Sequence, residues 1–154
     1  MKTFKLSTAS LSTKTLITSL ILTIGLVYLT LVFQKYLDTG MSPFQVAEGY
    51  EYMEYIELTD QAHLYLPYYS LFIFAAPVFL LMFSSFSEGI KRFFAVFPFI
   101  VIFFDTISIF LIPYVSKVFA FLLWSTGSIL GITLAAVFIM LVYDVWVRKM
   151  PATA

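Results

Sequence analysis

The sequence predicts an all-α fold: an integral membrane four-helix bundle with an amphipathic helix on its outer face, between the first and second spans. Three observations carry that prediction. Hydrophobic residues make up 61% of the 154-residue chain, mean hydropathy is +0.95 and only 12% of residues are charged, a composition no soluble globule needs. Apolar stretches long enough to cross a bilayer recur at about 16–34, 64–86, 93–113 and 118–143. Basic residues then sort by side in a four-span arrangement. Residues 1–154 are therefore one transmembrane domain, with no length left for a soluble one.

The first stretch follows a Ser/Thr-rich leader carrying Lys2, Lys5 and Lys14. It resembles a secretory signal, but it is long enough to span, and Gln34-Lys35-Tyr36 offers no small-x-small cleavage site. An uncleaved signal anchor is the expectation. The second stretch holds Pro67 near its start and Pro77 near its middle, where a missing N–H predicts a bend. The third is crowded with phenylalanine, carries Asp105 near its centre and ends at Pro113. The fourth can run on to about Val147, longer than the hydrocarbon core requires, so it should tilt or protrude.

Orientation follows from lysine and arginine, which stay cytoplasmic when short loops are translocated. Lys2, Lys5, Lys14, Lys91, Arg92, Arg148 and Lys149 fall on one side, against Lys35 and Lys117 on the other. Both termini are thus expected in the cytoplasm of a bacterial inner membrane. The connection between the first two spans, which takes Asp38, Glu48, Glu51, Glu54, Glu57 and Asp60, is expected in the periplasm.

That acidic connection predicts structure of its own over about 42–60. Ser42-Pro43-Phe44-Gln45 has the parts of a capping box, and Met41 and Val46 suit the accompanying hydrophobic staple. Val46, Tyr50, Met53 and Ile56 recur at helical spacing. Their apolar face should rest among lipid headgroups with Glu48 and Glu51 in water, and Gly49 is a weak point.

Ser42-Pro43, Val46, Gly49-Tyr50 and then Leu58-Thr59-Asp60-Gln61-Ala62-His63-Leu64-Tyr65 give the chain a recognisable look. It resembles a family of small bacterial four-helix inner-membrane proteins. The resemblance extends to Phe104-Asp105-Thr106 and to the stretch from Lys117 to Gly131. The family pattern Thr-His-x-His-Leu-Phe would set histidines on Gln61 and His63, of which only the second is present. What the resemblance implies is a shape, not a reaction.

Four sets of residues invite chemistry. His63, with Asp60 and Glu57 before it at three-residue steps, is a candidate site for one divalent metal ion at the outer face, because residues three apart on a helix are neighbours. The bland alternative is a solvated acidic surface, since a ladder of three-residue steps winds around a helix. Asp105 is costly at mid-bilayer, on the order of 3 kcal/mol by insertion scales. No basic residue is expected in a span, so Asp105 should face the interior, neutral or hydrogen-bonded by Thr106, Ser108, Ser125, Thr126 or Ser128. It is then either a clasp between the third and fourth spans or part of a proton or ion path. Gly127, Gly131 and Ala135 form a small-residue stripe for close helix packing, most simply within the bundle. Tyr36, Tyr50, Tyr52, Tyr55, Tyr65, Tyr68 and Tyr69 read as a dense aromatic belt.

Exclusions narrow the function. Cysteine is absent, which removes disulfides, thiolate metal sites and thiol nucleophiles. There is no histidine pair for a b-type haem, no phosphate-binding glycine loop, no nucleophile elbow and no basic cluster for nucleic acid. The expectation is a non-catalytic small membrane subunit or assembly factor, without a cofactor, whose partners are the lipid bilayer and other membrane subunits or itself. The alternative is a small transport or metal-handling protein using Asp60 and His63 outside and Asp105 within.

Overall fold

The computed structural model describes residues 5–148. A short 3₁₀ turn at Leu6–Thr8 precedes five helices: α1 (Leu11–Thr39), α2 (Pro43–Glu51), α3 (Tyr55–Met82), α4 (Glu88–Tyr114) and α5 (Phe119–Val147). All but α2 are long and apolar enough to cross a membrane. The chain is thus an all-α bundle of four spans, as its composition predicts. Lys5, Lys14, Lys91, Arg92 and Arg148 gather at one end of the bundle, hereafter the basic end, while Lys35 and Lys117 lie at the other, beside α2. Lys2 and Lys149 lie outside the described residues.

Helix limits differ from the hydropathy reading in ways that matter for the site. α1 starts five residues before Leu16, at Leu11, because Ser10 caps it: its Oγ accepts from the Thr13 N–H at 3.3 Å. It also outruns Phe33 and Gln34, ending only where Gly40 takes a left-handed φ of 51° and donates its N–H to Tyr36 O at 2.8 Å. Met41, at φ 57°, completes the reversal. Lys35 therefore belongs to a spanning helix, contrary to the expectation that no span carries a base.

The single outer helix expected over 42–60 is two. Ser42 and Pro43 do start α2, but the Ser42 side chain makes no capping bond. A reciprocal cap forms instead one element later, where the Glu54 N–H donates to Glu57 Oε2 at 3.0 Å and starts α3 at Tyr55 rather than at Leu64. Nor does the apolar face of α2 lie open to headgroups. Val46, Ala47 and Tyr50 are buried with Leu58, Ile109, Ile112 and Ala120, so α2 roofs the bundle. Trp124 Nε1 donates to Met41 O at 2.8 Å, Phe44 meets Phe121 edge-on, and Lys117 pairs with Glu51 at 2.7 Å.

Around Pro77, where a bend is expected from sequence, the helix departs from regular α geometry. The preceding residues Tyr68–Ala75 are wound as a π-helix, whose wider turn re-spaces the backbone where Pro67 and Pro77 bracket it. At the basic end, Leu6 is fully buried against Ile17, Ile21, Leu81, Val137, Leu141 and Val145. Its N–H donates to Phe83 O at 3.1 Å, so the leader plugs the bundle. Asp144, also fully buried, accepts from the Ser85 N–H through both oxygens at 3.1 and 3.2 Å and stands 3.6 Å from Arg148. That ties the α3–α4 turn to α5.

Candidate functional site

α1 and α5 are joined at the basic end and apart at the α2 end. Trp146 Nε1 donates to Thr18 Oγ1 at 2.9 Å, and Gly25 lets the Phe138 ring approach so closely that an added Cβ would stand 3.3 Å from it. Further along, α1 buries no residue beyond Ile24. The last contact is Tyr28, whose hydroxyl reaches Gly127 O at 3.5 Å. Beyond it lies a cavity of about 400 Å³ between α1 and α5, roofed by α2 and backed by α3 and α4. That volume is in the usual range for small-molecule sites.

Its lining is set by helical spacing. Tyr28, Leu31, Val32, Lys35 and Thr39 share one face of α1. Gly127, Ser128, Gly131 and Ile132 line the α5 wall without bulk, and an ideal Cβ on Gly127 meets nothing within 4 Å. Tyr50 comes from α2, Tyr65 and Tyr69 from α3, and Asp105 from α4. The cavity is thus apolar in its walls and polar at two depths. At the α2 end, Lys35 Nζ donates to the Tyr65 hydroxyl at 3.4 Å and lies 5.2 Å from the centre of that ring. Burial pushes the Tyr50 phenol above its ordinary 10.0, with the Lys35 ammonium pulling the other way. Deeper, about one turn of α4 below the Ile109 that packs under α2, Asp105 Oδ1 accepts from Thr126 Oγ1 at 2.6 Å.

The predicted residues divide sharply. Asp105 does face the interior, and of the five hydroxyls considered for it only Thr126 reaches it. Thr106, Ser108, Ser125 and Ser128 turn back onto the carbonyls of their own helices, at Ile102, Phe104, Phe121 and Trp124. That is the usual recourse of a helical hydroxyl with no better acceptor. The small-residue stripe is not consumed within the chain. Gly131 alone is met, by the Tyr28 hydroxyl, which an added Cβ would approach to 2.9 Å; Gly127 and Ala135 are exposed. At the outer face His63, Asp60 and Glu57 are all exposed, and Glu57 is engaged in the α3 cap. No group of three His, Asp or Glu suited to a metal ion occurs among the described residues. Gln61, where the resemblance would set a second histidine, turns inward: its Nε2 lies 3.4 Å from Met53 Sδ and its buried Oε1 has no partner.

Sequence reasoning missed Lys35, Tyr28 and Trp124, and took Tyr50, Tyr65 and Tyr69 for part of a belt. The recoverable signal was the run Tyr28, Leu31, Val32, Lys35, Thr39, at helical steps of three and four on a stretch read as ending near residue 34.

Comparison with known proteins agrees with the fold. Residues 32–152 match the family Aq_1264_TM, described as a transmembrane helical domain. No curated protein and no solved structure matches.

Proposed function

Since the chain belongs to the Aq_1264_TM family of transmembrane helical domains, we propose that it is a non-catalytic subunit or assembly factor of the membrane whose working element is the cavity between α1 and α5. In this reading the cavity holds a lipid-soluble ligand that enters sideways from the bilayer. The observation that carries it is the cavity itself: about 400 Å³ beside an α5 wall in which Gly127, Ser128 and Gly131 interrupt Leu123, Trp124, Leu130 and Ile132, with Lys35 and Asp105 set into largely apolar and aromatic walls. Bulk is missing on the side that faces lipid, where exposed Ile132 marks the rim. The segregation of basic residues supports a bacterial inner-membrane topology with the basic end cytoplasmic and α2 periplasmic.

The transport alternative finds less support. One turn inward from Asp105, Ile24, Ile73, Phe74, Val101, Ile102, Leu130 and Leu134 form a tightly buried cluster. The nearby buried hydroxyl, Thr133, is tied to Ile129 O at 2.7 Å. A proton or cation reaching Asp105 from the α2 end would meet an apolar cluster with only the phenols of Tyr28, Tyr68 and Tyr69 packed beside it. The subunit reading has its own support in the exposure of Gly127 and Ala135, which leaves a small-residue face of α5 open to another helix.

Photolabelling tests the ligand reading. A diazirine carried on a hydrocarbon chain, added to the protein in bilayer nanodiscs, should mark Tyr28, Tyr69 and Trp124. Labelling confined to lipid-facing Leu22, Leu26 and Leu29 of α1, with those three unmarked, would refute it.

A further inference from the structure

Lys35 is the one lysine or arginine lining the cavity, and its surroundings say what it can hold. Among the described residues it forms no ion pair, whereas Lys91, Lys117 and Arg148 each have a carboxylate. Its close contacts are neutral: the Tyr65 hydroxyl at 3.4 Å, the face of the same ring and the Tyr50 hydroxyl. A lysine drawn into a largely apolar cavity loses hydration, and hydroxyls replace only part of it. Asp105 interacts electrostatically with Lys35 but forms no ion pair with it, and its carboxyl group is held by Thr126. Around the ammonium, the phenols of Tyr50 and Tyr65 line the same end of the cavity, while the Thr39 hydroxyl is spent on Lys35 O at 2.7 Å. An ammonium with converging hydroxyl donors is a receptor for an anionic oxygen group, because charge-assisted hydrogen bonds are shorter and stronger than neutral ones.

Resting on the ligand reading above, we propose that the cavity takes an anionic-headed lipid, its phosphate or carboxylate on Lys35, Tyr50 and Tyr65 and its hydrocarbon chain leaving between α1 and α5 over Gly127 and Gly131. The depth of Lys35 suits this. It sits one turn inside the end of α1 at Thr39, where the headgroup of a lipid in the adjacent leaflet would lie. Lys117, at the same end, has no such place: it is exposed and already paired with Glu51 at 2.7 Å.

Native mass spectrometry of the full chain in neutral detergent tests the proposal, with phosphatidylglycerol, phosphatidylcholine and oleate as probes. Wild type should retain one anionic lipid per chain with a preference of at least about tenfold over phosphatidylcholine. Lys35→Met should abolish the preference; Lys35→Arg and Lys117→Met should keep it. Binding of phosphatidylglycerol alone would identify a phosphate head, and of oleate as well a simple carboxylate; both support the proposal. Phosphatidylcholine bound as tightly as the anionic lipids, or a preference that survives Lys35→Met, would overturn the head assignment. The ligand reading would still stand if Gly127→Trp displaced whatever is bound. Lipid retained unchanged by Gly127→Trp would defeat both.

Discussion

Asp105 and Thr126 form the only side-chain hydrogen bond between α4 and α5 among the described residues, and a double-mutant cycle can measure it. The perturbation is Thr126→Val, which keeps the shape of a residue only 5% exposed and removes its hydroxyl. Hydrogen bonds inside membrane bundles average about 0.6 kcal/mol and reach about 1.7. The one hydroxyl hydrogen also faces Leu122 O and Leu123 O at 3.0 and 2.9 Å, but at 2.6 Å and with a carboxyl group as acceptor the Asp105 contact is the shortest of the three and belongs at the upper end. Thr126→Val should therefore cost about 1–2 kcal/mol in reversible unfolding by sodium dodecyl sulfate. Asp105→Asn preserves Oδ1 as an acceptor and should cost much less. Asp105→Leu combined with Thr126→Val should recover most of the loss, since removing both partners leaves no orphan. A coupling below about 0.3 kcal/mol, the scatter of independent sites, would refute the clasp. So would Asp105→Asn proving as damaging as Thr126→Val, which would mean the carboxylate serves something other than this bond.

Other outcomes follow from the same geometry. Leu6→Ala opens a hole in a fully buried cluster and should cost about 2–5 kcal/mol; a truncation-like loss below 1 kcal/mol, read by the same denaturation, would mean the leader does not plug the bundle. Gly40→Ala places a Cβ on a residue at φ 51° and should cost about 1–2 kcal/mol, whereas Gly131→Ala should be neutral or slightly stabilising because only the movable end of Tyr28 is in the way. His63→Ala, at an exposed position, should change stability by less than about 0.5 kcal/mol and leave the metal content by elemental analysis unchanged. The docking of α2 carries a pH dependence of known sign. Glu51 holds the Lys117 ammonium above its ordinary 10.5, and burial holds the Tyr50 phenol above 10.0. Both groups bind their protons more tightly in the folded chain, so their contribution is complete below the unfolded values and is lost as pH rises through the folded ones. Fluorescence of Trp124, held against Met41, should stay constant between about pH 7 and 9 and change above about pH 10; a change confined to lower pH would contradict it.

The four spans were legible because a bilayer imposes one strong rule: about twenty apolar residues per helix. The helix ends were not, because capping outweighs hydropathy there. Gln34-Lys35-Tyr36-Leu37-Asp38 reads as a polar exit from the membrane, yet nothing stops α1 before Gly40. That displacement of about one and a half turns is what carried Lys35 from a loop into a cavity. Glu57 carried two readings for a related reason. A carboxylate three residues before Asp60 and six before His63 looks like a ligand, and three residues after Glu54 it is also a helix cap, which is the role it takes. Asp105 was found from sequence because charge in a span is rare enough to stand out. Its partner Thr126 could not be told from Ser125 or Ser128, which differ only in which way α5 is rotated. Tyrosine gave no such contrast, since belts and cavities draw on the same residue.

The central claim is that the space between α1 and α5 holds a lipid-soluble ligand. It is tested most directly by extracting the purified chain with organic solvent and quantifying lipid per chain in wild type and Gly127→Trp. Close to one tightly held molecule is expected in wild type, and its loss when indole fills the α5 wall. Equal lipid in both, with the variant folded, would contradict it.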